Sequence, residues 1–241
     1  MCAMSPRLLR PRATGFNPRA IANLSLWLDA ADTGSTTLVS GAVSQWNDKS
    51  GNGRNATQTV ANNRPTTGTV NGRQAIVFNG TSNSMACSAP LAANVTFFYV
   101  TSPSTQNDTY LFGSTGSGGS PAILSRYTNA SSRRDYEWWA GSGSDRLIIA
   151  TSASGQNLLT ITHRDGGLVE CWLNGTFVTS KATATAVLSG LSLATLGAAT
   201  SSVGFSNATM CEMLIYQRAV SATERAAVHS YLGKKWGLTV A

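Results

Sequence analysis

Leu168-Val-Glu-Cys-Trp-Leu-Asn-Gly-Thr-Phe-Val-Thr179 is the stretch whose reading decides the fold. Val169, Cys171 and Leu173 alternate with Glu170 and Asn174, the period of a strand with one buried face. Asn174-Gly175 then supplies two residues that tolerate positive φ, as a type I′ turn requires. The stretch predicts a hairpin, Leu168–Leu173 paired with Thr176–Thr179. The same texture recurs on both sides. Short apolar runs separated by Gly, Ser, Asn and Thr predict strands near 24–28, 43–46, 75–78, 95–101, 110–112, 122–126, 136–140, 147–150, 158–163, 191–196 and 212–217. No alternation with long helical patterns accompanies them, which argues against a parallel α/β sheet. Gly113–Ser120 reads as a loop inside this pattern, not as a linker between domains. An antiparallel β-sandwich or barrel is expected.

One helix is expected. Ser221-Ala-Thr-Glu224 is a capping-box pattern, with Val228, Leu232 and Trp236 following as one apolar stripe. Gly237 is placed to stop it, and Lys234 and Lys235 suit the negative end of the helix dipole. The expected helix, Ser221 to Trp236, closes one edge of the sandwich.

The chain has 241 residues, enough to bury a full two-sheet core without staples. Its net charge is +7, and Arg7, Arg10, Arg12 and Arg19 all precede the first acid, Asp29. Pro6, Pro11 and Pro18 keep that segment from forming a continuous helix. Residues 1–20 therefore read as a basic extended arm, with residues 21–241 as the folded domain. Leu8, Leu9 and Phe16 would add apolar contacts to an acidic partner that the arginines attract; a solvated tail is the plainer alternative. Outside the arm the basic residues cluster too little for a nucleic-acid reader. No run approaches the roughly 18 apolar residues of a membrane span, and no signal-peptide core is visible. Cys2, Cys87, Cys171 and Cys211 lack metal-site spacing and are expected as free thiols, consistent with assembly in a reducing cytoplasm.

Three segments in order resemble the concanavalin A-like (laminin-G-type) jelly-roll family. They are Leu26-Trp-Leu-Asp-Ala-Ala-Asp32 with Val43-Ser-Gln-Trp-Asn-Asp-Lys-Ser-Gly-Asn-Gly-Arg-Asn-Ala-Thr-Gln58, then Asp165-Gly-Gly with Trp172-Leu-Asn-Gly175, then Glu212-Met-Leu-Ile-Tyr-Gln-Arg-Ala-Val-Ser-Ala-Thr-Glu224 with Tyr231-Leu-Gly-Lys-Lys-Trp-Gly-Leu238. The resemblance implies an all-β, two-sheet antiparallel sandwich with one C-terminal helix. It is similar to domains of bacterial surface proteins and phage virion proteins, and the fold hosts lectins and glycanases alike.

Candidate chemistry is sparse. Asp48, Ser50 and Asn52 have the alternating oxygen spacing of a calcium loop, but Thr59 stands where such a loop needs an acid. A turn in which Asp48 accepts backbone N–H groups is the alternative. Asp135-Tyr-Glu-Trp-Trp139 puts Asp135, Glu137 and Trp139 on one strand face. These three suit a sugar, either as a non-catalytic site or as a catalytic carboxylate pair. Otherwise the acids pair with Arg133, Arg134 or Arg146. The Glu-x-Asp-x-x-Glu cluster that a glycanase of this resemblance implies is missing, and His163 and His229 sit in no triad context. No catalytic residue, cofactor or resident metal is expected. The leading expectation is a non-enzymatic phage virion-surface structural protein, a capsid decoration or tail-associated subunit assembled in the host cytoplasm. It would be anchored by its arm to other virion subunits, with self-association as a further option. The alternative is a carbohydrate-binding adhesion module that recognises host glycans; a glycan hydrolase comes third.

Overall fold

The computed structural model describes residues 15–103, 109–115, 123–128, 133–140, 143–150, 155–182 and 188–241. Among them are seventeen strands and one α-helix. In chain order the first strands are β1 (Leu24–Asp29), β2 (Thr36–Val39), β3 (Ala42–Trp46), β4 (Ala56–Thr57), β5 (Thr66–Val70), β6 (Arg73–Asn79), β7 (Met85–Pro90) and β8 (Asn94–Pro103). The chain continues through β9 (Thr109–Ser114), β10 (Ile123–Thr128), β11 (Arg133–Ala140), β12 (Gly143–Ala150) and β13 (Asn157–Arg164). It closes with β14 (Leu168–Leu173), β15 (Thr176–Ala182), β16 (Ser192–Leu196), β17 (Asn207–Tyr216) and α1 (Ala222–Trp236).

Every strand pairing is antiparallel, and the ladder folds into two layers. The first runs β15–β14–β13–β8–β17, with β1 and β6 side by side on the far edge of β17 and β5 beyond β6. The second runs β2–β3–β4–β7–β16–β9–β10–β11–β12. A single pair, Ala42 with Thr66, joins β3 to β5 and so links the layers. Alternation along each strand decides what fills the space between them. Leu26, Phe97, Tyr99, Ile161 and Ile215 from the first layer meet Phe112, Tyr136, Trp138, Leu147 and Leu196 from the second, all buried.

β8 is buried on both faces. Val95, Phe97 and Tyr99 point into the sandwich, whereas Phe98 and Val100 point outward into a second core beneath α1. There they join Leu158, Leu214 and Tyr216 against Val228, Leu232 and Trp236 of the helix. The helix therefore covers a sheet face, not an edge as the sequence reading had it. An outer face this apolar needs cover, and each fully buried helix side chain contributes up to about 1.5–3 kcal/mol. Ser221 and Glu224 close both bonds of the capping box, and Gly237 ends the helix at φ 69°. The expected hairpin joins β14 to β15, with Asn174 at φ 49° and Gly175 at φ 85°. Its one departure from the expected alternation is a register shift between Cys171 and Trp172.

The segment expected as an extended arm to residue 20 is folded onto the domain from residue 16 onward. Asn17 caps a single 3-10 turn, Pro18–Ala20. The Tyr216 hydroxyl donates to the Pro18 carbonyl at 3.0 Å, Arg19 Nε donates to the Lys49 carbonyl at 2.7 Å, and Phe16 packs on Tyr231 with ring centroids 5.4 Å apart. Phe16 and Arg19 thus serve the chain's own fold. Arg7, Leu8, Leu9, Arg10 and Arg12 lie outside the described residues, as does most of the loop expected over Gly113–Ser120.

Candidate functional site

The outer face of the second layer carries one continuous register row. Thr57 pairs with Ala86, Ala86 with Thr195, Thr195 with Gly113, Gly113 with Leu124, Leu124 with Glu137 and Glu137 with Arg146. Directly paired residues share a face. Because Tyr136 and Trp138 fill the inner core, Asp135 and Glu137, which alternate with them along β11, point away from it. The strand alternation placed Asp135 and Glu137 together, and the structure does the same. The side chain of Trp139 lies outside the described residues.

Asp135 and Glu137 are buried, at 0% and 6% exposure. Burial of a carboxylate is costly unless a cation accompanies it. Arg126 Nη1 lies 3.0 Å from Glu137 Oε1, and Arg146 Nη1 lies 3.7 Å from Asp135 Oδ2 and 4.0 Å from Glu137 Oε1. Of the three partners expected from sequence, Arg146 is found, and the side chains of Arg133 and Arg134 lie outside the described residues; Arg126, on the neighbouring strand, is a further partner. The Arg126 guanidinium also sits 5.8 Å from the Tyr110 ring centroid. The outermost groups of this cluster are therefore guanidinium and phenol, since Arg146 is half-exposed while the acids beneath are covered. Such a cluster can present fixed N–H donors to hydroxyl or carboxylate oxygens.

Loop 197–206 crosses the middle of the same face. A side-chain carbon at Gly113 would lie 2.0 Å from the Ala199 carbonyl oxygen, so only glycine lets the loop lie flush on β9. On the far side of the loop is a groove of about 410 Å³ between β4, β7 and β16.

Asp48 is occupied locally. Its carboxylate accepts from the backbone N–H groups of Trp27, Ser50 and Arg54 and from the Ser50 hydroxyl at 2.7 Å. Asn52 donates to the Leu24 and Ser25 carbonyls. This is the hydrogen-bonded turn weighed against the calcium loop. Among the described residues no three His, Cys, Asp or Glu side chains gather as a metal site.

Among the described residues a dense polar network lies under α1, and no motif in the chain announces it. Glu212 is fully buried, yet it accepts from Trp27 Nε1 at 2.8 Å, Tyr231 Oη at 2.7 Å and Trp236 Nε1 at 2.8 Å, and pairs with Lys235 at 2.7 Å. Lys235 also reaches Asp29 at 2.6 Å, and Lys49 bridges Asp29 and Asp32 at 2.8 and 2.7 Å. Burial pushes the Glu212 carboxyl upward and Asp29 adds to that, while Lys235 and Trp236 pull it back. Every acceptor is matched by a donor, so the network reads as a latch holding the helix on the sheet. Trp27, half-buried on β1, is one of its donors.

A further buried contact joins the Tyr136 hydroxyl to His163 Nδ1 at 3.0 Å, with Asp165 Oδ1 3.6 Å from Nε2. It lies inside the sandwich core, closed to any substrate. Burial lowers the His163 pKa to about 4, against the pull of Asp165. Cys171 and Cys211 are buried free thiols and Cys87 is half-buried. Burial raises all three, Cys87 and Cys211 to about 12, which leaves them without thiolate reactivity near neutral pH. No helix among the described residues is long and apolar enough to cross a membrane.

No protein-family model and no curated sequence matches the chain. Solved structures do. The binding domain of Paraclostridial Mosquitocidal Protein 1 superposes with a TM-score of 0.64 at 14% identity, over 87% of this chain and 52% of that one. The receptor-binding domain of botulinum neurotoxin type G gives 0.61 at 15% identity, over 87% and 51%. Trypanosoma rangeli sialidase in complex with sialic acid gives 0.60 at 15% identity, over 91% and 34%. The chain spans about half the length of the toxin domains, and a third of the sialidase. At these identities the likeness establishes the architecture, a two-layer antiparallel β-sandwich.

Proposed function

We propose that this β-sandwich is a non-catalytic binding module that recognises glycans of a cell-surface receptor through the outer face of its second layer. The observation that carries the reading is the cluster on β10, β11 and β12, where Arg126 and Arg146 are held by buried Asp135 and Glu137 beside Tyr110. Guanidinium groups fixed in this way make directed bonds to sugar hydroxyls and carboxylates with little ordering cost. The acids act behind the arginines as positioning groups. This differs from the sequence reading, in which the acids and Trp139 touched the sugar. Two of the structural neighbours, a receptor-binding domain and a sialidase in complex with sialic acid, support the same direction. A glycosidase of the two-carboxylate kind would instead require both carboxyl groups open to substrate and water, whereas Asp135 and Glu137 are covered and paired.

The test is titration of the full chain with sialyllactose and uncharged oligosaccharides. Arg146→Ala is expected to weaken binding of the acidic sugar at least tenfold. Glu137→Gln is expected to release no less and no more reducing sugar than wild type, namely none. Turnover that Glu137→Gln abolishes would make the protein an enzyme.

A second reading keeps the virion-surface role, with attachment to other virion subunits through the N-terminal segment. It is favoured by Arg7, Arg10 and Arg12, three cations without an acid. It no longer draws on Phe16 and Arg19.

A further inference from the structure

The groove beyond loop 197–206 differs in chemistry from the arginine cluster. Its polar lining is Thr57, Gln58, Thr59, Ser84, Thr195 and Ser201, with two alanines between them, and no lining side chain carries a charge. Ser84 and Thr195 are 2% and 6% exposed. Both side chains stand in the groove wall. Hydroxyls placed there can donate to and accept from whatever occupies the groove.

The walls are fixed. Gln58 donates to the Ser84 carbonyl at 2.6 Å and accepts from Val60 N–H at 3.0 Å. Arg64 donates to the Gln58 and Thr59 carbonyls, both at 3.0 Å, which turns its charge onto the backbone. The volume, about 410 Å³, falls within the range of small-molecule sites.

We infer that this groove is a second binding site, for an uncharged, hydroxyl-rich ligand of the neutral-saccharide class. The inference rests on the reading of this face as glycan-binding. Hydroxyls both donate and accept, so a lining of hydroxyls matches a ligand of hydroxyls. A phosphate or carboxylate finds no cation here. Thr195 and Glu137 stand three strand steps apart in the register row, roughly 14 Å at the usual spacing. The Ala199 backbone lies over Gly113 between them. The face therefore offers two subsites of opposite character, separated by a wall.

The experiment is titration of the full chain with maltotriose and N-acetyllactosamine as neutral probes and sialyllactose as the acidic one. Wild type is compared with Thr195→Val, Ser84→Ala and Arg146→Ala. Thr195→Val keeps the side-chain shape and removes only the hydroxyl, so its melting temperature is expected to stay close to the wild-type value. At least one neutral probe is expected to bind, to lose tenfold or more in Thr195→Val and Ser84→Ala, and to be unaffected by Arg146→Ala. Neutral probes that bind equally to wild type and Thr195→Val overturn the groove, as does failure of both to bind. Sialyllactose binding that survives in Thr195→Val and fails in Arg146→Ala then leaves the arginine-cluster reading standing alone. Loss of all binding to all three probes overturns both.

Discussion

Glu212 lies at zero exposure beneath α1 and accepts from two indoles, a phenol and an ammonium. Nothing near residue 212 in the chain announces this. Its donors Trp27 and Tyr231 come from opposite ends of the sequence, and only the pairing of β1 with β17 and the seating of the helix bring them together. Glu212→Gln puts an N–H₂ where Trp236 or Lys235 needs an acceptor. Breaking a buried, fully matched charge pair in this way is expected to cost about 3 kcal/mol, read as a lower urea midpoint at unchanged slope. Asp135 and Glu137 were legible as a pair on one strand face because a strand alternates with period two. Their burial and the identity of Arg126 were not, since those depend on which strand lies alongside. Arg126 is eleven residues from Glu137 in the chain and diagonal to it across the β10–β11 ladder, directly opposite Asp135.

Elements with strong local chemistry were legible in the same way. The Asn174-Gly175 turn and the Ser221–Glu224 box fix backbone geometry by themselves, and both hold. The strands missed are β2, β4, β5 and β7. β5 reads Thr-Thr-Gly-Thr-Val and β7 reads Met-Ala-Cys-Ser-Ala-Pro, with small side chains and little alternation; their ladder partners, not their own propensity, make them strands. The place of α1 was misjudged because β8 alternates apolar residues on both faces, and a sequence pattern does not say which layer covers the second. The contact of α1 with β13 adds a pH dependence. His229 Nε2 meets the Thr160 hydroxyl at 2.8 Å, and burial, with Arg225 nearby, lowers its pKa to about 4, as burial lowers that of His163. The unfolded chain binds these protons near pH 6.5, the native chain only near pH 4. Their stabilising effect is thus complete above pH 6.5 and is lost as pH falls toward 4. Each histidine is expected to contribute up to about 2 kcal/mol of lost stability at pH 5 relative to pH 8. Urea midpoints at the two pH values check this, and His229→Gln should flatten the difference.

At the scale of the molecule, residues 16–20 belong to the fold. Removal of residues 2–19 deletes the Phe16–Tyr231 packing and the bond from Tyr216 to Pro18, and is expected to lower the melting temperature by several degrees. Differential scanning calorimetry reads the loss. The sandwich then presents two unlike outer faces. One is sealed by α1 and its buried charge network; the other carries the arginine cluster, the wall formed by loop 197–206 and the neutral groove. Binding through this second face is the central claim. Amide chemical-shift mapping of the full chain with sialyllactose and the neutral oligosaccharides tests it most directly. Shifts confined to β4, β7, β9, β10, β11, β12, β16 and the 197–206 loop are the predicted result; shifts confined to α1 and the first layer, or no shifts with any sugar, would contradict it.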